Sequence, residues 1–314
     1  MKTYLLIGSI IFGLLTNVAF AEKEVPKHLS QVTLMTYNIH AAIPDNPPYK
    51  PYRSSLADVK NIAQLIIHAD PDFVALQEVD NQFGNPTTSR SGYMDLAREL
   101  ARCTGRYYAF GSTIDVDPTI RDANAGYVEW GNAEISKTNR KPHGEYGNAI
   151  LSKYPIILAR NYDLPNRPNG ENRACLNARI KIGKTIFSIY ATHLAHDSNT
   201  DRKNQIQEIT KLIENDKSKG IKILMGDFNN DPAQDKREGK YQPEFDIIQP
   251  LINAGFIDSG SYFGTPENTF SAQNLFERID YIFVPKKIKI NKSFTIPSTT
   301  SDHIPQVTVI EIPE

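Results

Sequence analysis

Near the C-terminus Ser301-Asp302-His303 follows Arg278-Ile279-Asp280-Tyr281, and Gly226-Asp227-Phe228-Asn229 stands upstream. These blocks place carboxylates, an amide and an imidazole at the ends of apolar, strand-like runs. Carboxylates gathered in one place repel one another unless a divalent cation sits among them. An imidazole beside a carboxylate gains basicity and a defined tautomer, which suits it to take a proton from water. Together these residue types point to metal-assisted hydrolysis. No Ser-His or Cys-His nucleophile arrangement stands out, so direct attack by water is expected rather than a covalent intermediate.

Such groups must be held by rigid elements. Val32 to Ile39, Phe73 to Val79, Asn148 to Leu151, Leu176 to Ile182, Ile186 to His193, Ile221 to Gly226, Ile279 to Val284 and Val307 to Ile312 read as strands. Gly183-Lys184 is a tight hairpin signal. Helical spacing joins Leu56, Val59, Ile62, Ala63 and Ile66 behind Ser55, a suitable N-cap. Met94 to Arg102, Phe245 to Asn253 and a stretch through Ile206, Ile209, Leu212 and Ile213, opened by Thr200-Asp201, read as further helices. Ser112 to Tyr146 shows no clear period. Few amphipathic helices and many strands, several apolar on both faces, suit an α/β fold of two packed sheets with helices outside. Asn38, Glu78, His193 and Asp227 all fall at or just beyond the C-terminal ends of strand runs, where layered α/β folds build their sites.

Seven blocks occur in order: Met35-Thr36-Tyr37-Asn38, Leu76-Gln77-Glu78-Val79, Tyr146 to Ser152 (YGNAILS), Thr192-His193-Leu194, Gly226 to Asn229, Arg278 to Tyr281 and Ser301 to His303. Together they resemble the endonuclease/exonuclease/phosphatase superfamily, which includes DNase I, exonuclease III-type nucleases, bacterial sphingomyelinases and inositol polyphosphate 5-phosphatases. The resemblance spans nearly all of the chain after its first residues. It implies a DNase I-like, four-layered αββα sandwich with two central, mainly antiparallel sheets, and Mg²⁺-dependent phosphoester hydrolysis, with Mn²⁺ as the alternative ion. It implies Glu78 as principal metal ligand with Asn38 and Asp302, since a hard cation takes oxygen ligands. It implies His303 as general base oriented by Asp280, with Asp227 and Asn229 orienting water or phosphate. His193 resembles the second histidine, which stabilises the phosphate or protonates the leaving oxygen beside a carboxylate. Glu145 is its positional candidate partner, and Asn148 and Arg173 are candidates to touch phosphate.

The first residues read as an export signal. Lys2 supplies the positive start, Tyr4 to Phe20 is apolar and almost uncharged, and Ala19-Phe20-Ala21 is an A-x-A cleavage site. The expectation is a signal over residues 1–21, one domain over 22–314, a periplasmic or secreted location, no stable membrane anchor and a monomer. The net charge is −1, and losing Lys2 takes it to −2, so no bulk basic field invites nucleic acid. Cys103 and Cys175 either pair in an oxidising compartment or stay as buried thiols.

Phe276-Glu277-Arg278-Ile279-Asp280 departs from the Trp-Cys-Asp-Arg signature usual in inositol polyphosphate 5-phosphatases. The loop 43–52 (IPDNPPYKPY), and the region 112–145 with Trp130, Tyr127 and Arg121, are either substrate walls or surface decoration. His40, Arg90, His196 and Arg202 lie near the motif blocks as further polar groups. The reading is a phosphoesterase for a non-nucleic substrate, such as a lipid headgroup or sugar phosphate. A secreted DNase I-like endonuclease is the alternative, and a catalytically silent binding module the third.

Overall fold

A computed structural model describes residues 26, 29–45, 52–115, 127–138 and 144–313. The expected signal over 1–21, Arg121 and most of the loop 43–52 lie outside them. The chain opens with β1 (Gln31–Asn38), crosses through α1 (Leu56–Ala69) and returns as β2 (Phe73–Asn81), parallel to β1. The Asp58 carboxylate closes the start of α1 by accepting from the Ser55 N–H at 2.8 Å. Then follow α2 (Leu96–Thr104), β3 (Tyr107–Asp115), β4 (Val128–Gly131), β5 (Ser136–Thr138) and β6 (Glu145–Ser152). A second run comprises β7 (Ile156–Leu164), β8 (Arg173–Ile182), β9 (Thr185–His193), α3 (Asn199–Asn215) and β10 (Ile221–Asp227). The remainder is α4 (Pro232–Arg237), α5 (Ile248–Asn253), β11 (Phe256–Asp258), β12 (Asp280–Pro285), β13 (Ile290–Thr295) and β14 (Gln306–Glu311).

Among the described residues the strands form two sheets. The larger runs β13-β14-β1-β2-β6-β3-β4-β5 and the smaller β11-β12-β10-β9-β8-β7. Each has one parallel pair, β1 with β2 and β9 with β10, and is otherwise antiparallel. The sheets meet through Val32, Leu34, Phe73, Ala75, Ile150, Leu176, Ile189, Ile223, Met225 and Ile282. Helices α1 and α2 cover the outer face of the larger sheet, and α3 and α5 that of the smaller. This is the αββα sandwich of the DNase I-like fold.

Several elements differ from the sequence-based expectation. The region 112–145 is partly ordered: β3 continues to Asp115, and β4 and β5 form a ribbon at the sheet edge. Tyr127 and Trp130 pack against the cores of the two faces and so are not substrate walls. The helix expected over 245–253 is broken, because a proline in a helix interior loses its hydrogen bond and clashes with the preceding turn. Instead Asp246 accepts from the N–H groups of Ile248 and Gln249, and α5 starts there, which leaves Pro250 harmlessly in the first turn. Strands β7, β11 and β13 are short or edge strands with half-polar sequences, whose alternation carries little signal. Cys103 and Cys175 are both free thiols. One packs outside the larger sheet and the other outside the smaller, so the sandwich itself separates them.

Candidate active site

The period of two along a strand carries the apolar inner faces straight into polar side chains. Val32, Leu34 and Thr36 lead to Asn38; Ile189 and Ala191 to His193; Ile223 and Met225 to Asp227; and Val284 and Ile282 back to Asp280. Register places Asp227 beside His193 on one side and Asp280 on the other. Because β12 is antiparallel to β10, its first residue reaches the same end as the last residue of β10. The sheets join here through Asn38, whose Nδ2 donates to Asp227 Oδ2 at 3.0 Å.

Glu78 breaks the alternation. Simple parity after Phe73, Ala75 and Gln77 sends it to the outer face, but a bulge between Leu76 and Val79 intervenes. Its φ of 55° puts it in the left-handed region, and its carboxylate joins the cavity lining. Asn38 Nδ2 lies 3.4 Å from Glu78 Oε1. Arg90 grips Asp80 with two hydrogen bonds, reaches within 3.5 Å of Glu78 and lies over the Tyr146 ring. Asp302 is brought alongside by Ser301, whose hydroxyl donates to the Asn38 carbonyl at 2.8 Å. His40 Nδ1 lies 3.7 Å from Asp302 Oδ1.

His303 Nδ1 and Asp280 Oδ2 are 2.8 Å apart, which leaves Nε2 on the cavity side, 3.7 Å from Asp227 Oδ2. Burial pushes the imidazole down, but Asp280 foremost, then Asp227 and Asp302, outweigh it and raise it to about 10. Burial and the Asp280 charge push the Asp227 carboxyl up to about 7. Asp227 Oδ1 accepts from the Asn229 N–H at 2.9 Å, and the Asn229 amide is tied to the Leu194 carbonyl. Asn229 has φ 48°, a conformation asparagine tolerates better than most residues.

His193 differs from its expected setting. Its Nδ1 faces Arg173 Nη1 at 3.2 Å and the Tyr146 hydroxyl at 3.5 Å, while Nε2 lies 3.5 Å from Asp227 Oδ2. Its neighbouring carboxylate is therefore Asp227, not Glu145. Neighbours on a strand face opposite ways, so with Tyr146 in the cavity lining Glu145 is turned to the other side of β6. Asn148 does not reach phosphate as expected: it is fully buried between the sheets and donates to the Ala174 carbonyl at 3.1 Å. Arg173 does line the cavity, paired with Glu171 at 2.9 Å.

The cavity, about 570 Å³, brings together Glu78, Arg173, His193, Asp227, Asn229, Asp302 and His303. Its walls also hold Glu171, Glu277, Phe83 and Phe270, none of which sits in a motif-like block. Phe270 lies against the His303 ring, centroids 4.9 Å apart. Of the further polar groups, Arg90 and His196 reach the cavity, whereas Arg202 is spent on the carbonyls of Ala195 and His196, bracing that loop.

The donor chemistry fits a divalent cation. Glu78, Asp302, Asp227 and Asp280 cluster here, Asp227 and Asp280 almost wholly buried, and Asp227, Asp280 and His303 bring ligand-type atoms within 4.8 Å of one another. Asp227 and Asp280 are already engaged with the two imidazoles and Asn38. Glu78 and Asp302 are the partly open carboxylates left to hold a cation. Asn38 presents nitrogen to the carboxylates and its Oδ1 accepts from the His40 N–H, so it serves as a ligand only with its amide turned over.

Comparison with known proteins agrees with this geometry. The model of the endonuclease/exonuclease/phosphatase family matches residues 35–303. The uncharacterized protein YbhP of Escherichia coli K12 is 28% identical over 184 residues, 56% of this chain and 67% of its own. The fold is shared with an endonuclease/exonuclease/phosphatase from Beutenbergia cavernae (TM-score 0.66, 20% identity, 90% of this chain, 72% of that one). It is shared too with the mannosyl-6-phosphatase Bt3783 of Bacteroides thetaiotaomicron (0.58, 17%, 90%, 100%). D. rerio TDP2 complexed with a single-strand DNA product is equally similar (0.58, 15%, 90%, 100%). With the family model spanning every block of the site from Asn38 to His303, the chain belongs to the endonuclease/exonuclease/phosphatase family of divalent-metal-dependent phosphoester hydrolases.

Proposed function

We propose that this protein is an exported, monomeric, Mg²⁺-dependent phosphoesterase acting on a small, non-nucleic phosphoester such as a sugar phosphate or lipid headgroup. The observation that carries the catalytic reading is the 2.8 Å His303–Asp280 contact, with Nε2 left facing the cavity. Asp280 holds the Nδ1 proton, and a cation bound among the carboxylates would favour loss of the proton on Nε2, which is then the atom that accepts a proton from water. The water oxygen forms a bond to phosphorus, the bond to the leaving oxygen breaks, and that oxygen takes a proton from solvent. Asp227 and Asn229 orient the attacking water, and His193 faces the phosphoryl oxygens with Arg173 behind it. Bound Mg²⁺, held by Glu78 and Asp302, would supply the positive charge that the carboxylate cluster and the phosphoryl oxygens both call for.

The preference for a small substrate rests on charge and size. Glu171 and Glu277 stand in the wall of a cavity of about 570 Å³, and the whole chain carries a net charge of −1. A polyanion gains little long-range attraction from such a surface. The fold itself is neutral on this point, since it carries both a sugar phosphatase and a DNA-bound protein. Export rests on the character of residues 2–21. No helix among the described residues is long and apolar enough to cross a membrane.

The test is a panel of sugar phosphates, sphingomyelin, bis-p-nitrophenyl phosphate, RNA and supercoiled DNA, with Mg²⁺ or excess EDTA. Chelator-sensitive turnover of a small phosphoester, lowered about 10²–10⁴-fold in His303→Ala, is the expected result. Preferential nicking of DNA overturns the substrate assignment. Activity retained in EDTA overturns the metal dependence.

A further inference from the structure

We propose that Arg173 is a positioning residue that fixes His193 as the Nε2–H tautomer, so that this imidazole meets the phosphoester as a fixed hydrogen-bond donor rather than as an acid. A guanidinium has donors only. With Arg173 Nη1 at 3.2 Å, His193 Nδ1 must be the acceptor, and the ring proton sits on Nε2. The Tyr146 hydroxyl, 3.5 Å from the same nitrogen, is too far for a good hydrogen bond and leaves the single lone pair of Nδ1 to Arg173. A carboxylate at this position would draw a proton onto Nδ1 and favour imidazolium. A buried arginine does the reverse.

Arg173 is itself immobilised. It is 2% exposed, Nη1 is paired with Glu171 at 2.9 Å, and Nη2 lies 3.3 Å from His196 Nδ1. Its place as the first residue of β8, next to the end of β9, is set by the antiparallel register of those strands. Burial, then the charges of Arg173, His303, His196 and Arg90, hold the His193 imidazole well below its ordinary value, in keeping with a neutral ring. Nε2–H faces Asp227 at 3.5 Å, longer than a good hydrogen bond, which leaves it available to a phosphoryl oxygen. Leaving-group protonation then falls to solvent.

This assignment rests on the phosphoesterase reading only for its catalytic consequence, and the test separates the two. The purified chain labelled with ¹⁵N-histidine is examined by two-bond ¹H–¹⁵N correlation. With seven histidines in the sequence, the His193 signals are identified by their loss in His193→Gln. The expected pattern is a pyridine-like Nδ1 and a pyrrole-like Nε2 in the unaltered protein, and the same in Arg173→Lys, which keeps a donor. Arg173→Met should mix the tautomers and lower kcat about 10–100-fold with little change in KM. A pyrrole-like Nδ1 or an imidazolium in the unaltered protein overturns the tautomer assignment, whatever the activity. An Arg173→Met spectrum identical to wild type, or an effect on KM alone, overturns the positioning role. The expected tautomers in a protein inert on every phosphoester support the tautomer and reject only the phosphoesterase reading.

Discussion

At Asp227 one carboxylate oxygen meets two imidazoles and an amide: His193 at 3.5 Å, His303 at 3.7 Å and Asn38 at 3.0 Å. Neutralising this hub should scatter all three, so Asp227→Asn is expected to lower kcat about 10²-fold or more while the circular dichroism stays native. Asp280→Asn keeps the shape of the His303 partner but changes the tautomer it favours. A kcat loss of similar or larger size, read from initial rates, is expected there. Away from the site, Asp216 shows what a stabilising carboxylate looks like. Burial pushes it up, but hydrogen bonds from the Ser218 N–H and from the Tyr190, Ser218 and Ser188 hydroxyls outweigh that and hold it at about 2. Its folded value is depressed, so its contribution is present above the unfolded value near ~4 and is lost as the pH falls towards 2. The side chain lies just beneath the surface, and solvent screening reduces the effect to about 1–2 kcal/mol. Asp216→Asn should therefore lose about that much stability at pH 7 in urea titrations and show a shallower acid limb.

Single strands and bulges decide where these residues point. The parallel contact of β9 and β10 is close because Gly226 has no side chain; a Cβ there would meet the Thr192 carbonyl oxygen at 2.1 Å. Gly226→Ala must push the strands apart next to both His193 and Asp227. A cost of about 1–3 kcal/mol in stability is expected, with activity lost in the fraction that still folds. The bulge in β2 is the corresponding device in the larger sheet. Glu78 reaches the cavity only because an extra residue there turns it inward, and Arg90 and Asp80 hold it so.

On the scale of the whole molecule, two sheets contribute different parts of one site. The larger brings Asn38 and Glu78, the smaller His193, Asp227 and Asp280, and the loop before β14 brings Asp302 and His303. Gathering so many carboxylates costs stability that a bound cation restores by mass action. Mg²⁺ at about 100-fold its Kd should raise the unfolding free energy by about 2.7 kcal/mol, visible as a rise in Tm reversed by EDTA. Glu78→Gln should abolish most of that rise. An unchanged Tm across a Mg²⁺ titration would count against cation binding by this cluster.

How much of this was legible beforehand differs by residue. Asn38, Asp227 and Asp280 stand at the ends of alternating apolar strands, and alternation is a local property that survives in the sequence alone. The order of the blocks carried the family and with it the layered fold. The pairing of His303 with Asp280 followed from the same blocks. Glu78 was identified by its motif, yet nothing in Leu76-Gln77-Glu78-Val79 announces the bulge that turns it inward. Glu145 is a candidate partner for His193 from its place just before the Tyr146-Gly147-Asn148 strand. Strand parity turned it away, and the antiparallel register of β8 and β9 delivered Arg173 instead. Asn148 was drawn into the contact between the sheets for a similar reason. Sequence by itself determined which side chains sit at strand ends and what chemistry they own, because a period of two is written residue by residue. Which of them share a cavity, and which neighbour fixes a proton on which nitrogen, was decided by register, bulges and the meeting of two sheets. Those are contacts between positions far apart in the chain, and only tertiary packing selects them.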